Sequence, residues 1–184
     1  LLRSQWTRVI EVGLVKHDLE TGEILNTDSF FVKPFNFEVV SFDIPEKISG
    51  ISKEEVSKNG ISFLDCIPRI ANFAMDTKIF AWNLPFDQRM IQRFAFDSLE
   101  KEGTRRSINL LEKLQWGGCW QHLYTWMNQE RYPEMISERS GFIPMRNAFK
   151  IEGWDNVQSH RALDDALHTA KLGNKIFQHQ LKHN

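Results

Sequence analysis

The alternation of apolar and polar positions divides the chain into short strands and amphipathic helices. The run Arg8–His17 (RVIEVGLVKH) is rich in Val, Ile and Leu and predicts a strand. Glu23–Pro34 (EILNTDSFFVKP) alternates and stops at proline, a second strand. Between them Asp18-Leu19-Glu20-Thr21-Gly22 suits a hairpin turn, Asp18 opening it and Gly22 supplying positive φ. Ser52 followed by Glu55 predicts a capped short helix that Asn59-Gly60 stops. Phe63, Ile67, Ile70 and Phe73-Ala74 then repeat at helical spacing. Thr77–Asn83 predicts a short apolar strand, and Pro85–Gly103 a helix with Phe86, Met90, Ile91, Phe94 and Leu99 on its buried side. The pattern blurs from Ile108 to Ala148, where Cys119–Gln129 suggests a strand running into a helix and Glu130–Phe149 a loop with a short helix. A last helix begins near Arg161, with Ala162, Ala166, Ala170, Gly173 and Phe177 along one face. Strands alternating with helices imply an α/β fold, a sheet with helices packed on its faces.

Composition narrows this picture without changing it. The 184 residues suit one domain spanning the whole chain, residues 1–184. With 41% hydrophobic and 26% charged residues, the balance is that of an ordinary globular protein. No apolar run approaches the roughly 20 residues that a membrane helix needs, and the start resembles no secretory signal, so a cytoplasmic location and no membrane partner are expected. The two cysteines, Cys66 and Cys119, stand far apart and suggest neither a zinc site nor a disulfide framework. A net charge of −1 advertises no polyanion partner, so any nucleic-acid binding rests on a local groove and on cations that offset acidic side chains. The window 128–150 is mixed in sign and makes no basic patch.

Two stretches carry candidate chemistry. In Ala81–Asp87 (AWNLPFD) a strand ends and a helix starts, and ligands of open α/β sheets gather at such carboxyl ends. In Ser159–Ala166 (SHRALDDA) His160 precedes the last helix and Asp165 lies about one turn inside it, a spacing that lets both face one side. Each residue also has a structural reading. Asp87 suits a helix cap or dipole partner, His160 a surface position, and Asp164 and Asp165 a solvated and a helix-associated acid. Together they are the residue types that phosphodiester hydrolysis uses. Carboxylates hold hard Mg²⁺ or Mn²⁺ ions, a pair of ions activates water and stabilises the leaving oxygen, and a histidine takes the proton.

In this order the motifs resemble those of the DEDDh, DnaQ-like 3′–5′ exonucleases. AWNLPFD resembles the family's H-N-x-x-F-D, with Trp82 in the histidine position and Asn83, Phe86 and Asp87 retained. SHRALDDA resembles H-x-A-x-x-D-A, the most specific match, and Ile48–Val56 (ISGISKEEV) resembles a third family segment. The resemblance implies a ribonuclease H-like three-layer fold, a central mixed sheet flanked by helices. It implies a hydrolase that removes nucleotides from DNA or RNA with two Mg²⁺ or Mn²⁺ ions. Asp87 and Asp165 would bind metal, His160 would be the general base, and Asn83 would contact substrate. A single-stranded 3′ end is the implied partner, with association as a homodimer or with a polymerase also in view.

The family's first motif, a D-x-E on the strand before I-I-E-I-G, has no counterpart. Val9–Gly13 matches I-I-E-I-G, and Leu1–Arg8 contains no acid. Three readings of that gap stand. The strand precedes Leu1 in a longer protein, in keeping with a start that is not Met; or the chain is a non-catalytic relative that keeps a binding or interaction role; or the DLET of the turn has taken over the metal role.

Overall fold

The computed structural model describes residues 9–102, 106–154 and 160–183. Leu1–Arg8, Gly103 and Ser159 from the readings above lie outside these residues, as do the side chains of Phe94 and Leu99.

Strands β1 (Glu11–His17) and β2 (Ile24–Lys33) form the expected antiparallel hairpin, in register from Glu11 opposite Phe31 to Lys16 opposite Asn26. Its turn follows from Asp18. The carboxylate accepts the backbone N–H groups of Glu20 at 2.8 Å and Thr21 at 2.9 Å, and Gly22 takes φ 79°. Glu20 is exposed, so this element is a turn and no buried metal-binding strand. The tip is fastened to the last helix: Asn174 Nδ2 donates to the Leu19 carbonyl at 2.8 Å and Gln178 Nε2 to that of Glu20 at 2.9 Å.

The end of β2 pairs in parallel with the short β3 (Ile61–Ser62). Helix α1 (Asp43–Ser49) ends at Gly50 with φ 70°. Helix α2 (Lys53–Asn59) begins as expected, Ser52 Oγ accepting the Glu55 N–H at 3.1 Å. Helix α3 (Phe63–Phe73) buries Cys66, Ile67 and Ile70. Strand β4 (Lys78–Ala81) pairs in parallel with β5 (Gln115–Cys119), and between them run α4 (Leu84–Glu102) and α5 (Arg106–Glu112). After β5 come α6 (Trp120–Asn128), α7 (Met145–Ile151) and α8 (Ala162–His183).

The layers follow from strand alternation. Val12 and Leu14 of β1, Phe30 and Val32 of β2 and Ile79 of β4 join α3 in one core. Phe80 and Trp82 point into a second core with Trp120, Tyr124, Phe149, Leu172 and Ile176. Helices thus flank both faces of mixed strands. Among the described residues the strands form two sheets, β1-β2-β3 and β4-β5, so β1 and β4 each have one edge without a strand partner.

Three expectations need correction. Helices α1 and α5 were not foreseen, and the strand before α6 is Gln115–Cys119, earlier than Cys119 suggested. Phe86, expected in the core, is 43% exposed. Leu84 takes the buried position in the first turn of α4, and Phe86, two residues on, lies about 200° around the helix.

Candidate active site

The site residues stand at the starts of two helices. At α4, the Asn83 carbonyl accepts the N–H groups of Phe86 at 2.9 Å and Asp87 at 3.4 Å, which begins the helix just past β4. Asn83 and Asp87 are both exposed. Protein packed around the Asp87 carboxyl nevertheless desolvates it and lifts its pKa to about 6, outweighing the lowering by its own backbone N–H. No charged neighbour contributes to that shift.

Trp82, in the motif's histidine position, is core. It is 8% exposed and packs 5.6 Å from the Tyr124 ring. Its Nε1 is buried without a hydrogen-bond partner.

At α8, Asp165 is half-buried and its N–H donates to the Arg161 carbonyl at 3.0 Å. Desolvation raises its pKa, and the neighbouring His160 and His168 pull it back down. His160 is thus near enough for its charge to bear on the Asp165 carboxyl. It lies before the helix, exposed, with a left-handed backbone at φ 52°. This conformation is uncommon for a residue with a side chain.

Sequence reasoning missed two neighbours. Glu11 on β1 reaches the same helix start. Its Oε1 accepts Arg161 Nε at 2.9 Å and lies 2.8 Å from Nη2, while Oε2 accepts the Ala162 N–H at 2.8 Å. Two positions on, Gly13 lets the backbone of α8 come so close that an added Cβ would lie 2.3 Å from the Ala162 carbonyl carbon. His168, one turn beyond Asp165, packs 4.8 Å from the Phe149 ring with Nδ1 buried and unpartnered. The shared parity of Glu11 and Gly13 was the available signal for the first; nothing in the pattern marked the second.

Asp87 and Asp165 offer hard carboxylate oxygens, the donors that Mg²⁺ and Mn²⁺ prefer, and desolvation raises the pKa of both. The donor chemistry fits such an ion in kind. Among the described residues no group of three or more His, Cys, Asp or Glu side chains could hold a metal, so the fit in number is incomplete. No described helix is long and apolar enough to cross a membrane.

Sequence comparison finds no matching family profile and no matching curated relative. Structural comparison does. Exonuclease I of E. coli in complex with a dT13 oligonucleotide superposes with a TM-score of 0.67 at 16% identity over 95% of this chain. The nuclease domain of 3′hExo, a DEDDh family member bound to rAMP, superposes with a TM-score of 0.62 at 16% identity over 94% of this chain and 82% of its own. The chain has the fold of the DEDDh exonucleases. A zinc-bound form of the E. coli exonuclease I complex with single-stranded DNA agrees, with a TM-score of 0.62 at 15% identity. The chain spans 39% of the length of exonuclease I.

Proposed function

We propose that the protein is a metal-dependent 3′–5′ exonuclease acting on a single-stranded end of DNA or RNA. The observation that carries this reading is the placement of His160 just before α8 and of Asp165 in its first turn, on a fold that exonucleases share. Asp165 and Asp87 would hold divalent ions, which supply Lewis-acid stabilisation of charge at the phosphate when bound. His160 takes a proton from water as its oxygen bonds to phosphorus, and the 3′ oxygen of the penultimate nucleotide leaves. Asn83, exposed at the end of β4, contacts the terminal nucleotide.

The reading includes a ribonuclease H-like sheet completed by one more strand between β1 and β4, bearing the two acids of the missing motif. Two features support it. Both strands send side chains into the same core against α3. Moreover the apolar stretch Val12–Val15 of β1 is only half-buried, whereas such runs belong to strands covered on both sides. A second reading, a fold kept for binding alone, is favoured by the lack of a three-donor group among the described residues.

Degradation of 3′-labelled DNA and RNA oligonucleotides with Mg²⁺ or Mn²⁺ separates the two. Asp165→Ala and His160→Ala should each lower the rate by about 100-fold or more, and Glu20→Ala in the turn should leave it unchanged. Undiminished rates in the first two variants would remove the assignment; oligonucleotide binding with no metal-dependent cleavage would favour the second reading.

A further inference from the structure

One contact near the site joins residues 150 positions apart and is explained neither by the hairpin nor by the cores. The Glu11 side chain is only 6% exposed, and both of its oxygens are committed to the start of α8. A carboxylate withdrawn from water at a helix N-terminus could satisfy itself on backbone N–H groups alone. Here one oxygen instead takes the guanidinium of Arg161, the residue between His160 and the helix. The guanidinium also stands 5.5 Å from the Phe31 ring, on the strand paired with β1. Arg161 is thus held from two strands, and Ala162 rests on Gly13 with no space between them. The backbone turns through left-handed His160 immediately before this clamp.

We infer that Glu11, acting through Arg161 and Ala162, is a positioning residue that fixes the direction in which His160 presents its imidazole; this rests on the exonuclease reading for its catalytic meaning, though not for its geometry. Without the clamp, the left-handed turn loses its side-chain anchor on the C-terminal side and the imidazole samples several directions. The loss falls on the chemical step, because a base displaced by about 1 Å forfeits much of its rate advantage while substrate contacts persist.

The test uses the complete protein with Glu11→Gln and Arg161→Lys, each keeping size and part of the bonding, and Glu20→Ala as a control. Two readouts are taken: steady-state nuclease kinetics, and the imidazole NMR resonances of His160, with those of His122 as reference. Glu11→Gln should lower kcat about ten-fold with KM changed less than about two-fold, and should shift the His160 resonances while His122 stays in place. Arg161→Lys should do the same to a smaller degree, and it carries the test if Glu11→Gln fails to fold. Unmoved His160 resonances overturn the inference, whether kcat is unchanged or falls with the unfolding temperature. If the wild-type protein cleaves no oligonucleotide, the exonuclease reading fails by itself, and the His160 resonances alone then decide the clamp.

Discussion

Asp87 carries an energetic signature of its own. Its folded pKa, about 6, lies above the ordinary 3.8, so the folded state binds a proton more tightly than the unfolded chain does. The stability from this group is complete below pH 3.8 and is lost as pH rises through about 6. Asp87→Asn removes the charge without changing size. In metal-free buffer it should raise the unfolding midpoint at neutral pH by about 1–2 °C, a small effect because the side chain touches water. The gain should shrink as pH falls through about 6 and vanish below about 4, which thermal melts across that range would check. A gain constant with pH would assign the effect to something other than this carboxyl. Trp82 is the opposite case, a position where the family pattern asks for a polar ring and the chain supplies a core residue. The site is therefore read from Asp87, His160 and Asp165 without it.

At the scale of elements, the crossing of β1 and α8 is set by Gly13. An alanine there would put its Cβ 2.3 Å from backbone atoms of Ala162, and neither partner can rotate away. Gly13→Ala should cost about 3 kcal/mol or more, a drop of roughly 10 °C in the unfolding midpoint. Gly118→Ala, whose Cβ would meet its nearest neighbour at an ordinary 3.5 Å, should cost little. The same crossing explains what was legible in the sequence. The hairpin, the Ser52 cap, α3 and α8 follow from local chemistry: an Asp-Gly turn, a hydroxyl cap, apolar spacing. Helix α1 was not foreseen because its seven residues are too few to repeat an apolar stripe beyond Ile44 and Ile48, which stay exposed. Phe86 was misplaced because periodicity does not say which residue of a first turn meets the core. Glu11 was passed over for a related reason. A charged residue inside an apolar strand reads as surface until a partner far along the chain is known.

For the molecule as a whole, α8 and the hairpin are joined at both ends. Glu11 grips the first residues of the helix, and Asn174 and Gln178 hold the turn further along it. A helix tied to a strand at one point can fray from the other; one tied at two points has to leave as a block. The amides of β1 and the first four turns of α8 should therefore exchange with solvent deuterium at one common rate, slower than those of α1. Mass spectrometry of native-state exchange would register this as correlated loss of protection in the two segments. Separate rates would mean that the fastenings act locally. The turn that spells a nuclease motif thus has another consequence. It sets how readily the histidine-bearing end of the molecule can open.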